Sequence, residues 1–342
     1  MKAEADVVVI GAGPCGLFQV FELGLLGLRA CVIDSLNRVG GQCMELYPDK
    51  PIFDIPALPV CNARELIERL QEQIRPFRPV FHLGQVVTEV EKNEDGSFRL
   101  LTAKGLSCQA GAVIVAGGCG AFQHRKLKVA GAEKYEGKCL HYKVADAAAY
   151  TGKRVVILGG GDSALDWTLN LCDRARELVL VHRREEFRAA PASVERMKQL
   201  ADRKKLRYVI GRVRGLVEEA GRLVGIRISE GKQEPLALPL DELLVFYGLS
   251  PKLGPIAEWG LQLERNQIRV DTEKFQTSVP GIFAIGDVNI YPGKKKLILS
   301  GFHEAALAAF GAEKYMYPEK KQYLQYTTTS TVIRKRLGVA AE

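Results

Sequence analysis

The feature that most constrains this chain is an order of elements that occurs twice: a β-branched run, a glycine turn, an apolar helical stretch and a second strand. Val7 to Ile10 leads into Gly11-Ala12-Gly13-Pro14-Cys15-Gly16, helical spacing follows through Leu17, Phe18, Val20, Phe21 and Leu25, and Ala30 to Ile33 reads as a strand ending at Asp34. Val155 to Leu158, Gly159-Gly160-Gly161-Asp162-Ser163-Ala164, a helix through Leu165 to Leu171 and a strand from Leu178 to Val181 repeat that order. Unbroken apolar strands, as opposed to alternating ones, belong to sheets covered on both faces. A strand-turn-helix-strand unit repeated once is a domain type used twice, not a solenoid period.

The expected fold is therefore α/β, with two Rossmann-like dinucleotide-binding domains. At 342 residues the chain has the length for both. Between the repeats lie a proline-rich loop (Tyr47 to Pro59), a helix (Ala63 to Gln73), a hairpin turning at Asn93 to Ser97, and a buried strand from Ala112 to Ala116 before Gly117-Gly118. Leu243 to Tyr247 marks the way back, and the segment after Pro251 carries Gly281-Ile282-Phe283-Ala284-Ile285-Gly286-Asp287 and a helix expected from Phe302 to Tyr315. The second domain reads as an insertion: 1–118 with 252–342 form one domain and 119–251 the other.

The two glycine turns differ in the residues that come after them. In the first, Gly11, Gly13 and Gly16 permit a tight turn and close approach of a pyrophosphate to a helix N-terminus, and Asp34 stands where ribose hydroxyls need an acceptor. In the second, Gly159 and Gly161 recur, Ala164 replaces the third glycine, and the strand is followed by His182-Arg183-Arg184-Glu185-Glu186-Phe187-Arg188 with no acid at the ribose position. A cluster of guanidinium forks suits a 2′-phosphate, so this unit reads as an NADP(H) site held by His182, Arg183, Arg184 and Arg188. Two dinucleotide sites suggest one bound redox cofactor and one diffusing nicotinamide. The first unit, with Gly286-Asp287, suits FAD.

Composition narrows the alternatives. Hydrophobic residues at 47% and charged residues at 26% describe a globular chain. The formal charge of +8 permits anionic partners without choosing among them. Apart from the tail, no basic helix with interleaved aromatics points to nucleic acid. No apolar stretch approaches a membrane span, and Glu4 and Asp6 precede the first strand where a signal core would lie. The eight cysteines are scattered with no two separated by only two residues, so neither a zinc ribbon nor a short dithiol motif is expected, no metal is assigned, and a reducing cytoplasm is the expected setting.

Through the motifs GAGPCG, GGQCMELYPDKPIFDIP, GGGDSALDW, HRREEFR, GIFAIGD and YTTTST, the chain resembles the two-dinucleotide-domain flavoproteins. It is most similar to the thioredoxin-reductase-like ferredoxin–NADP(+) reductases over nearly its whole length. In thioredoxin reductase a Cys-x-x-Cys pair lies shortly before the second glycine unit; here that neighbourhood reads Lys143-Val144-Ala145-Asp146, and no relay to a protein disulfide is expected. The resemblance implies that Gly11, Gly13, Gly16 and Asp34 hold the FAD adenosine and pyrophosphate. It further implies that Gln42 lies beside the flavin, that Val87 touches the adenine side, and that Phe122 and Asp287 complete the pocket. Tyr47 matches the family's aromatic on one flavin face. Tyr326, followed by Thr327 (or Thr328 in a shifted register), matches the aromatic on the other face, contributed by the partner subunit of a homodimer.

The implied activity is electron transfer between NADPH and ferredoxin or flavodoxin, by hydride transfer to the flavin and then one-electron steps. An NADPH-dependent quinone or diaphorase-type reductase would share the same sites, and a non-enzymatic flavin redox sensor would share the FAD site. A helix starting near Phe302-His303-Glu304 is expected to turn its positive end to the flavin. Lys294-Lys295-Lys296 and Arg334-Lys335-Arg336 are docking candidates for an acidic carrier.

Overall fold

The computed structural model describes residues 2–144, 146–229, 235–322 and 326–339, and for 2–4, 121–123 and 249–252 the backbone alone. The functional elements of the first segment are β1 (Lys2–Ile10), α1 (Pro14–Leu26), β2 (Ala30–Ile33), α2 (Gly41–Leu46), α3 (Ala63–Ile74), β3 (Val80–His82), β4 (Val87–Lys92), β5 (Phe98–Thr102) and β6 (Ser107–Val115). Then come β7 (Leu140–His141), β8 (Arg154–Gly159), α4 (Asp162–Leu171), β9 (Glu177–His182), α5 (Pro191–Asp202), β10 (Arg207–Ile210), β11 (Arg212–Glu219), β12 (Arg222–Ser229), β13 (Leu236–Pro239) and β14 (Glu242–Phe246). The last segment adds β15 (Ile282–Ala284), α6 (Ile298–Met316) and α7 (Thr331–Arg336).

The chain divides into two compact units, Met1–Phe122 with Pro251–Glu342, and Gln123–Ser250; the sequence put these joints at 118/119 and 251/252. In the first unit the sheet runs β3-β2-β1-β6-β5-β4, with β15 on β6. β3, β2, β1, β6 and β15 are parallel, while β5 and β4 form the antiparallel hairpin turning at Asn93–Ser97. Val7, Val8 and Val9 are fully buried because the sheet is covered twice. On one side β1 and β2 pack with residues of α1, α3 and α6; on the other, Val8, Cys31 and Ile33 meet Phe98, Leu100 and Cys108. That double cover explains the unbroken apolar runs.

The second unit is a parallel sheet in the order β7-β14-β8-β9-β10, beside an antiparallel β11-β12-β13 meander. α4 and α5 supply the crossovers, as parallel neighbours require. Among the described residues no helix is long and apolar enough to cross a membrane.

One element departs from expectation: α6 begins at Ile298, four residues before Phe302. Gly301 sits inside it although glycine weakens a helix. The structure needs it there, because a Cβ at Gly301 would stand 2.2 Å from the Cys15 sulfur. His303 therefore lies in the second turn and not at the helix start.

Glu304 of α6 is fully buried and accepts hydrogen bonds from Gly286 N (2.7 Å), Asn289 Nδ2 (2.8 Å), Tyr291 OH (2.9 Å) and Lys294 Nζ (2.5 Å). Lys294, 5% exposed, also donates to Gly286 O at 2.8 Å. The ammonium and carboxylate thus clamp both backbone groups of the Gly286 turn. The Lys294–Lys296 docking candidate is corrected accordingly, because Lys294 is an interior counter-ion. Removing one partner of a buried ion pair strands the other. Lys294→Met is expected to lower unfolding free energy in urea by about 3–5 kcal/mol, and a loss below about 1 kcal/mol, the scale of surface pairs, would contradict the clamp.

Candidate functional site: a glycine-turn cleft and an arginine pocket

The three glycines of the first turn do different work. Gly11 has φ +115°, and a Cβ there would lie 2.4 Å from Ala116 O; a Cβ on Gly16 would lie 1.9 Å from Gly11 O. Both positions let α1 pass against the end of the sheet. Gly13 is the N-cap of α1 at φ −73°, a backbone any residue adopts, and within 4 Å its Cβ would meet only Gly41 Cα at 3.9 Å. Protein packing therefore does not demand glycine at Gly13. Its bare Cα leaves space over the positive end of α1, where an anion binds best.

Asp34 is 8% exposed, and its carboxylate accepts from Ala12 N at 2.6 Å and from Leu36 N at 2.7 Å. It ties the glycine turn to the end of β2, a task not read from the sequence. Burial raises its pKa while the two backbone bonds work against that rise. A carboxylate offers about four lone-pair sites, so two remain for hydroxyl donors.

The turn opens on a cleft of about 1350 Å³, open mouth included. Gly11, Gly13, Asp34, Gln42, Tyr47, Val87 and Asp287 all line it. The structure thereby brings together positions spread over most of the first unit's sequence. Gln85 and Trp259 line it too and carried no signal in the sequence; Lys296, which the sequence offered only as a docking charge, also lines it. Trp259 is held by donation to Thr88 O at 3.1 Å. Leu297 and Ile298 bring the start of α6 to the wall. The bare Gly13 cradle and the free acceptor sites of Asp34 fit a flavin dinucleotide.

Three other groups define the cleft's chemistry. Burial pushes the Tyr47 phenol up to about 12, so it stays neutral and suited to stacking. Burial likewise pushes the Cys15 thiol up to about 12, leaving it inert as a nucleophile at neutral pH. Burial also raises the Asp287 carboxyl, opposed by Lys296 and Lys294. Tyr326, 65% exposed, and exposed Thr327 do not line the cleft of their own chain. The Phe122 side chain lies outside the described residues.

In the second unit, Gly159 has φ +155° and a Cβ there would stand 2.6 Å from Phe246 O, while Gly161 caps α4 with nothing within 4 Å. Ala164 is fully buried behind the turn. His182 covers Gly160, where a Cβ would lie 2.2 Å from the imidazole, and stacks on Phe187 with ring centroids 5.1 Å apart. Burial, with Arg184 and Arg183 nearby, lowers its pKa against a bond to Glu186 O, so His182 acts as a neutral wall and not as a cation.

The arginine motif is split. Arg188 donates its backbone N–H to Gly160 O at 2.8 Å, beside the glycine turn. Arg183 and Arg184 instead line a second pocket with Arg212, Arg214 and Ser229; Arg184 Nε is buried there with no partner, and Glu185 is the one acid in the lining. Arg212 and Arg214 escaped sequence reading because they follow a different strand. β9 and β10 pair in parallel with His182 beside Ile210, so residues just past both strands converge at their carboxyl ends. The other docking candidate is also changed: Arg336 donates to Leu25 O at the end of α1.

The family model described as pyridine nucleotide-disulphide oxidoreductase matches residues 5–309, and the chain belongs to that family. It is an oxidoreductase of the class that uses FAD and NADP(H). Among known proteins it is 59% identical over 336 residues to a ferredoxin–NADP reductase 2 of Cupriavidus taiwanensis, covering 98% of this chain and 91% of that one. It is 58% identical over 340 residues to a ferredoxin–NADP reductase of Methylibium petroleiphilum, covering 98% and 93%. Thioredoxin reductases of T. acidophilum and Lactococcus lactis share the fold, each with TM-score 0.76 at 24% identity, covering 93% and 92% of this chain and 99% of each of those chains.

The spare room at Gly13 makes a clean test. Gly13→Ala should leave the apoprotein's melting temperature unchanged and weaken FAD binding at least about tenfold, a cost of about 1.4 kcal/mol, measured by flavin fluorescence quenching. A variant that binds flavin normally would separate the turn from the cofactor.

Proposed function

We propose that this chain transfers electrons between NADPH and a ferredoxin or flavodoxin, with FAD in the first unit's cleft and NADPH on the 123–250 unit. The observation that carries the reading is the contrast at equivalent strand ends: a carboxylate at Asp34 in one unit, and Arg183, Arg184, Arg212 and Arg214 in the other. Ribose hydroxyls match the first and a 2′-phosphate the second. The names carried by relatives at 58–59% identity support the ferredoxin assignment.

A bound FAD would supply the capacity to accept a hydride from NADPH and to release electrons singly. The chain's own groups hold and insulate that chemistry. Asp34 and the start of α1 would hold the dinucleotide, and the phenol of Tyr47, which lines the same cleft and stays protonated, would pack against the ring. The positive end of α6 faces the cleft, where negative charge develops on reduction. The Cys15 thiol stays protonated and takes no part. Exposed Lys295 and Lys296 remain as docking charges for an acidic carrier, and a reducing cytoplasm keeps the cysteines as thiols. In a homodimer, Tyr326 and Thr327 would reach the partner's cleft and cover the nicotinamide side of the flavin.

Three measurements test this. Rates with ferredoxin, flavodoxin, quinone and thioredoxin as acceptors should be highest for the first two; a faster quinone rate would favour a diaphorase. Arg183→Ala and Arg212→Ala should each raise KM for NADPH about 10- to 100-fold, the worth of charge-assisted bonds, with NADH kinetics unchanged. Equal loss for both nucleotides would reject the phosphate reading. Tyr326→Ala should speed flavin reduction by NADPH in stopped flow, and an unchanged rate would remove the tail from the site.

A further inference from the structure

Beneath the ribose end of the cleft lies a cluster that plays no part in the proposed electron transfer. Cys31 of β2, His82 of β3 and Cys108 of β6 each offer one ligand atom, and these three atoms lie within 4.8 Å of one another. Cys31 is 3% exposed and Cys108 1%, on the sheet face packed by Val8, Ile33, Leu100 and Leu106. The two sulfurs are near enough to influence each other's ionisation, which raises the pKa of the Cys31 thiol and lowers that of Cys108. The imidazole Nε2 of His82 is buried with no hydrogen-bond partner, although a neutral imidazole carries a donor and an acceptor to satisfy. An orphaned ring nitrogen beside two sulfurs, in a dry apolar layer, is the donor set of a thiophilic cation.

We propose that Cys31, His82 and Cys108 bind a divalent thiophilic metal ion of the zinc class, which ties β2, β3 and β6 together under Asp34. The charge balance supports a divalent ion. Two thiolates and a neutral imidazole around a dication sum to zero, so the assembled centre buries no net charge, and two thiol protons leave on binding. Three protein atoms leave one position of a tetrahedron open to a further ligand. The spacing explains why sequence counting missed the set: its members come from three strands, β2, β3 and β6, far apart in the sequence. The site also has a mechanical consequence. Asp34 N donates to His82 O at 3.1 Å, so a ligated His82 would steady the backbone that carries the ribose acceptor.

Both sulfurs are buried and His82 is half-buried, so loading during folding is the surest route, and the test uses whole protein from zinc-supplemented cells. After gel filtration with EDTA, the wild-type flavoprotein should retain about one zinc per chain by mass spectrometry. Cys108→Ser and His82→Ala should fall to the level of buffer while keeping flavin. Cobalt taken up in place of zinc should give tetrahedral d–d bands at wavelengths beyond the flavin absorption, lost in Cys108→Ser. If the variants fail to fold, the wild-type zinc content and cobalt spectrum decide alone. Wild-type protein without zinc, or with a Cys31–Cys108 disulfide in the unreduced mass spectrum, would overturn the proposal.

Discussion

The buried carboxylate of Glu304 is the contact on which most of the cleft depends. It joins α6 to the Gly286 turn, to Asn289 and to Tyr291, and it is neutralised by Lys294. A full charge in the interior is tolerable only when its lone pairs are occupied and a counter-ion is in contact. Here both conditions are met within one stretch of chain. The result is a rigid turn that presents Asp287 to the cleft and a helix whose start forms part of the wall. The same contact burdens the Tyr291 hydroxyl, whose pKa rises to about 12 through burial and the carboxylate beside it.

The two units solve one problem, holding a nucleotide at the carboxyl ends of parallel strands, with opposite electrostatics. In the first unit the acid is nearly buried and already shared between two backbone donors, so its remaining sites suit hydroxyl donors and repel a phosphate. In the second, guanidinium groups from two neighbouring strands converge around space with little negative charge to balance them. Burial in one case and convergence of cations in the other make each unit poor at the other's ligand. On the proposed assignment, that division would let one nucleotide stay bound while the other exchanges.

The sheets, the hairpin and both glycine turns were legible because they rest on local signals: continuous β-branched runs, positive-φ glycines and helical spacing. Asp34 was legible because the acid ends the second strand of its repeat. What was not legible depends on strand order and depth. Nothing local distinguishes Lys294 from exposed Lys295, yet one is a buried counter-ion. Gly301 looked unlike helix until the Cys15 sulfur beside it explained the missing side chain. Arg212 and Arg214 join Arg183 only through the parallel register of β9 and β10. Cys31 and Cys108, far apart in sequence, meet across the sheet, so the absence of close sequence spacing did not mean the absence of paired sulfurs.

The central claim is that electrons from NADPH pass to a flavin with no protein dithiol behind it. Anaerobic titration of the purified flavoprotein with NADPH, followed by visible absorbance, measures this directly. The account predicts complete bleaching of the flavin after a single equivalent per chain, with the count of reactive thiols unchanged. A second equivalent consumed before the endpoint, with two new thiols appearing, would contradict it.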